Sequence, residues 1–264
     1  MRTEVELEYR DGIAHLTLRP PEGKPPTLDH GVIARLDALC AEVEARAGTL
    51  VAVVVRSASA RHFCAGANLE VMRTITAANV ADWVHRGHRL MNRLEALPLP
   101  VVAVVEGYAL GGGLELAMAC DLIFASDTAR LGQSEVKLGL VTGWGGCHRL
   151  SRRVGLARAK ELAFGARLVE AGEAARIGLV DWAGPAAELE ARVREFTAAV
   201  AANSRAAVRE TKAILAACAE GTVAGSAGIE AAASERCLRD GDAPARLAQF
   251  FAALSATVPS AHAA

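Results

Sequence analysis

Polar and apolar residues alternate from Val5 to Tyr9, and the alternation resumes in "IAHLTL" after Asp11-Gly12. A period of two marks a half-buried strand, and Asp-Gly between two such runs is a hairpin turn. The chain is predicted to open on sheet. Beyond the Pro-rich "RPPEGKPP", residues Val32, Leu36, Leu39 and Val43 recur at helical spacing, and "LVAVVVRS" (50–57) then carries the unbroken β-branched run of a strand buried on both faces. A second such strand is "VVAVVEG", introduced by Pro98 and Pro100, with an amphipathic helix over 79–96 between the two. "DLIFASD" and "GLVDWAG" supply further short strands.

Strands that alternate with helices predict an α/β arrangement with parallel pairing. From about residue 185 onward the pattern is Ala-rich and helical. The expected organisation is an α/β core over residues 1–200 and a helical region over 201–264, ending in a frayed tail, "VPSAHAA". No internal repeat and no low-complexity linker interrupts it.

Composition narrows the function classes. With 264 residues, 52% of them hydrophobic and 22% charged, the chain is long enough for a substantial core. Its apolar runs are far shorter than the roughly 20 residues of a membrane span, so none is expected. Net charge is -1 and the basic residues are scattered, which argues against a nucleic-acid partner. Six cysteines, at 40, 64, 120, 147, 218 and 237, form no CxxC pair, which fits a reducing, cytoplasmic setting. The N-terminus lacks the plan of a signal peptide and reads as mature structure from the start.

Three stretches carry candidate chemistry. In "GYALGGGLELAMACD" (107–121) a strand runs through Gly111, Gly112 and Gly113 into a helix former, with Glu115 as the one charge before Asp121. Glycines there let the backbone approach a ligand, and the free N–H groups of the first helical turn suit an oxyanion. The alternative is tight packing, with Glu115 capping its own helix by interaction with the dipole. Neither a dinucleotide fingerprint nor a P-loop fits, because Leu116 stands at the third glycine position and no GK[ST] follows.

The second stretch, "RHFCAGANLEVM" (61–72), places Ala65, Gly66 and Ala67 at another strand-to-helix turn. Two such turns at one end of a sheet would aim two backbone donors at one carbonyl oxygen; the alternative is an ordinary βα loop. The third, "ARLGQSEVKLGLVTGWGGCHRL" (129–150), holds Glu135 in a short polar interruption before a glycine-rich turn, Gly143-Trp144-Gly145-Gly146. Two glutamates near one substrate divide acid and base roles if their environments separate their pKa values. Asp82, His85 and His88 on one helix face read as solvated residues rather than as metal ligands, and no metal is expected. Cys147 and His148 are adjacent in sequence, so their side chains diverge on a helix, and a thiol nucleophile is not expected.

Four of these segments, "FCAGANL", "GYALGGGLELAMACDLIFAS", "ARLGQSEVKLGL" and "RIGLVD", together resemble the enoyl-CoA hydratase/isomerase (crotonase) family, in order, over roughly residues 5–220. The resemblance implies an α/β spiral of ββα turns with a helical C-terminal trimerisation region, and assembly as a homotrimer or dimer of trimers. It also implies acyl-CoA thioester substrates and no cofactor, coenzyme A being part of the substrate. It assigns the oxyanion hole to the N–H groups of Ala67 and Gly112, and matches Glu115 and Glu135 to the two glutamates of the hydratase branch, as base and proton donor. Ala65, Gly66, Gly111, Gly143 and Trp144 would border the substrate, and Lys24 is a candidate phosphate contact.

Three departures stand out. Asn68 replaces the more usual Asp, "RPPEGKPPTLDH" lacks the usual Asn-Ala-Leu run, and Trp144 brings a bulky ring to the turn, where it either shapes the acyl pocket or only packs. The leading expectation is hydration of a 2-enoyl-CoA. The alternatives are a family decarboxylase, which the Trp-Gly-Gly turn keeps open, an enoyl-CoA isomerase, which retention of Glu115 disfavours, and an acyl-CoA-binding scaffold subunit without activity.

Overall fold

The computed structural model describes residues 2–218 and 223–257; the tail read from the sequence as frayed, 258–264, lies outside the described residues. The chain divides into two compact units, one up to Ala198 and one from Ala199.

The first unit is built on two sheets. The larger has six strands in the order β1-β2-β3-β5-β7-β10: β1 (Glu4–Arg10), β2 (Ile13–Arg19), β3 (Ala52–Ser57), β5 (Val101–Val105), β7 (Leu122–Ser126) and β10 (Trp182–Gly184). Only the opening hairpin is antiparallel. Strand β5 is buried at every position, as its unbroken run of Val and Ala predicts. The smaller sheet joins β4 (His62–Cys64), β6 (Tyr108–Leu110), β8 (Arg130–Gly132) and β9 (Val169–Glu170), the last pair antiparallel.

The chain passes repeatedly from the large sheet to the small one and then into a helical segment. Strands β3 and β4 lead to α2 (Leu69–Met72), β5 and β6 to α4 (Gly112–Met118), and β7 and β8 to a 3-10 turn (Glu135–Leu138) and α5 (Gly146–Val154). Each of these turns delivers a loop beyond the small sheet. Helices α1 (His30–Ala45) and α3 (Val80–Ala96) cover the sheets, and Asp29 caps α1 by accepting from Val32 N at 2.8 Å. The unit is completed by α6 (Leu156–Gly165) and α7 (Ala171–Arg176), and the division between the units falls inside α8 (Leu189–Ala201).

One predicted strand is shorter than the sequence suggests. Of "GLVDWAG" only Trp182–Gly184 pairs in the sheet. Leu179 N and Val180 N both donate to Ala174 O, closing the end of α7, so the apolar run begins as a helix terminus. The second unit holds α9 (Arg205–Cys218), α10 (Val223–Arg239) and α11 (Ala243–Thr257). Arg236 donates from Nε and Nη2 to Glu210 Oε2, at 3.0 and 2.6 Å, which ties α9 to α10.

Candidate active site

The loops after β4 and β6 abut. Gly66 has φ +94°, and a Cβ on it would stand 2.7 Å from Leu110 O and 3.1 Å from Gly112 N, so both the backbone conformation and the space require glycine. Segment 26–28 braces the first loop: Ala65 N donates to Pro26 O, Leu28 N to Gly66 O, and Asn68 N to Leu28 O. This register turns Ala67 N–H away from Leu28. Neither Ala67 N–H nor Gly112 N–H, at the first position of α4, donates to a described residue.

Asn68 fills its place with both ends of its amide. Its Oδ1 caps α2, accepting from Glu70 N and Val71 N, while Nδ2 donates to Thr27 Oγ1 at 3.0 Å.

Glu115 is buried, with 2% of its surface exposed. Its Oε1 accepts from Trp144 N and from Gly146 N, both at 2.8 Å. The carboxylate thus caps the start of α5, where the packing alternative had it capping its own helix. Burial pushes its pKa from 4.5 up to about 7; the two N–H bonds oppose the rise and the nearby Glu135 charge adds to it.

Glu135 lies against the other glycine turn. A Cβ on Gly111, itself at φ +50°, would come within 2.8 Å of Glu135 Oε1. Burial raises this carboxyl's pKa as well, against the backbone N–H groups of Glu135 and Ser134. Gln133, buried beside it, donates its amide nitrogen to Glu135 Oε2 and Oε1 at 3.0 and 3.1 Å in the amide orientation that satisfies its neighbours. Sequence reasoning passed over Gln133. The only local signal was its place in the same polar interruption, Gln133-Ser134-Glu135, as the glutamate.

The two turns and both glutamates line one cavity of about 330 Å³. Of the residues assigned to the site from the sequence, all line it except Lys24, which is exposed on the segment leading into 26–28. Trp144 is 2% exposed and packs at 5.0 Å on Trp83, a wall residue from α3 that the sequence did not suggest. Val84, Leu140 and Val141 add apolar lining to the same cavity.

Asp82 pairs with Arg86 at 2.6 Å, and no group of three His, Cys, Asp or Glu side chains among the described residues is placed to hold a metal. Cys147 is exposed beside Thr142. No helix among the described residues is long and apolar enough to cross a membrane.

Spiralling ββα turns around a pocket with two backbone donors and two carboxylates, one buried and one half-buried, define an α/β protein of the crotonase fold, and solved structures share it. An enoyl-CoA hydratase from Bacillus anthracis superposes with a TM-score of 0.88 at 30% identity, covering 94% of this chain and 95% of its own. A Thermobifida fusca structure in complex with acetoacetyl-CoA gives 0.81 at 27% identity, over 89% and 95%. The enoyl-CoA hydratase/isomerase family model matches residues 8–238, and the chain belongs to that family.

Among curated relatives, the short-chain-enoyl-CoA hydratase of Clostridium acetobutylicum is 37% identical over 199 residues, 75% of this chain and 76% of the relative. The human mitochondrial methylglutaconyl-CoA hydratase is 37% identical over 190 residues; the match covers 68% of this chain and 54% of the human protein.

Proposed function

We propose that this chain is an enoyl-CoA hydratase, adding water across the 2,3-double bond of a 2-enoyl-CoA thioester. The observation that carries the reading is the meeting, in one cavity, of two backbone donors without a partner among the described residues, a buried glutamate, Glu115, and a half-buried one, Glu135. Ala67 N–H and Gly112 N–H hold the thioester oxygen as negative charge moves onto it, each such donor being worth about 2.7–4 kcal/mol in comparable sites. Glu115 takes a proton from a water whose oxygen bonds to C3, and Glu135 delivers a proton to C2. Solvent then carries the proton from Glu115 back to Glu135.

In this mechanism Ala65, Gly66, Gly111 and Gly143 supply backbone walls around the thioester, and Trp144 borders the acyl group. Lys24, outside the cavity, is the proposed contact for a CoA phosphate. The reaction so written draws on no resident metal or redox group, since the backbone donors supply the polarisation. The working form in this reading is a homotrimer or dimer of trimers in the cytoplasm. The six free cysteines support the compartment, and the exposed Phe250 and Phe251 of the C-terminal unit support association.

The test is a panel of purified-protein assays with crotonyl-CoA, a branched enoyl-CoA, a 3-enoyl-CoA and a malonyl-type thioester, following the enoyl chromophore, products and CO2. Hydration of the 2-enoyl thioesters is expected. Release of CO2 alone would overturn the reading in favour of a decarboxylase, migration of the double bond in favour of an isomerase, and binding without turnover in favour of a scaffold.

A further inference from the structure

The indole of Trp144 sits in a slot between two helices. A Cβ on Gly87 of α3 would stand 2.0 Å from Cδ1 and 2.1 Å from Nε1 of its pyrrole ring, and a Cβ on Gly112 of α4 would stand 2.4 Å from Cζ3 of its benzo ring. Neither glycine has a positive φ, so the backbone at neither requires glycine for its conformation. Gly87 lies in the middle of a 17-residue helix, where glycine costs about 1 kcal/mol relative to alanine. Close approach of the ring is what it permits.

The ring is held there by shape. Its buried Nε1 has no hydrogen-bond partner among the described residues, and its neighbours include the two glycines and the Trp83 ring. Because Gly112 also carries a proposed thioester donor, the ring lies immediately beside the reacting end of the substrate.

Resting on the hydratase reading, we infer that the Gly87–Trp144–Gly112 slot makes Trp144 the stop of the acyl pocket, restricting this enzyme to short acyl groups, with Gly87 as the positioning residue that fixes the stop. Gly87 touches no substrate; it acts through the ring.

The experiment measures kcat/KM for crotonyl-CoA, 2-hexenoyl-CoA and 2-decenoyl-CoA with wild type, Trp144→Ala, Gly87→Ala and the double variant, together with thermal stability of all four. Wild type is expected to favour crotonyl-CoA over 2-decenoyl-CoA. Trp144→Ala is expected to move that ratio toward the longer substrate by about 10- to 200-fold, the usual worth of pocket-shape contacts. Gly87→Ala forces the ring out of its slot, so it is expected to lower the hexenoyl-to-crotonyl ratio and the melting temperature.

In the double variant the added methyl has no ring to meet, and the stability lost through Gly87→Ala is expected to be absent when it is made on the Trp144→Ala background. A wild type that hydrates 2-decenoyl-CoA as well as crotonyl-CoA overturns the inference while leaving the hydratase reading intact. So does an unchanged length profile in Trp144→Ala, or additive stability changes in the cycle. Failure of the wild type on every enoyl-CoA overturns the hydratase reading itself.

Discussion

Glu115 holds the Trp144–Gly146 turn and, in the proposed reaction, accepts a proton, and the two roles separate by substitution. Glutamine keeps an oxygen for the two N–H donors, whereas Glu115→Ala leaves both unpaired in a buried site at about 1–3 kcal/mol each. Urea unfolding is expected to rank wild type and Glu115→Gln together, well above Glu115→Ala. The raised pKa also sets the pH behaviour. Between about 4.5 and about 7 the folded chain keeps a proton on Glu115 that the unfolded chain has lost, so stability falls as pH rises through that window, by something on the order of 3 kcal/mol. Glu115→Gln is expected to flatten that slope. A base must be ionised, so kcat/KM is expected to rise with pH through about 7. A profile that falls there instead would assign the proton-donor role to Glu115.

At the scale of elements, the legible parts were those with a long or chemically distinctive signal. The buried runs that became β3 and β5, the amphipathic α3 and the two glycine turns all follow from periodicity or composition. The small sheet does not, because β4, β6, β8 and β9 have two or three residues each, too few to show a period of two. For the same reason the meeting of Glu115 with α5 was not readable: a contact across 29 positions leaves no trace in local spacing. Gly87 escaped because its partner, the Trp144 ring, is brought in by the fold. The turn after β4 gives the prediction at this scale. Gly66→Ala adds a methyl at φ +94° against Leu110 O and displaces the neighbouring Gly112 N–H. Strained backbone of this kind costs about 1–3 kcal/mol. Crotonyl-CoA turnover is expected to fall more than tenfold in protein that circular dichroism shows to be folded; undiminished turnover would separate the turn from the chemistry.

Over the whole molecule, the α/β unit carries the site, and the C-terminal unit exposes Leu238, Phe250 and Phe251 at 53%, 59% and 60%. Apolar area of that kind is costly in water, and association of copies is the proposed reason for it. Light scattering is expected to report three chains or a multiple of three, and Phe250→Ser with Phe251→Ser to lower that number; a monomeric wild type would contradict the assembly. In the proposed reaction two glutamates and two backbone donors hydrate an enoyl thioester. The most direct measurement compares wild type, Glu115→Gln and Glu135→Gln for crotonyl-CoA turnover and for binding of a non-reactive acyl-CoA. The wild type is expected to yield 3-hydroxybutyryl-CoA, each variant to lose at least about a hundredfold in kcat, and all three to retain most of their binding. Equal rates in wild type and Glu115→Gln, normalised to folded protein, would contradict the proposed reaction.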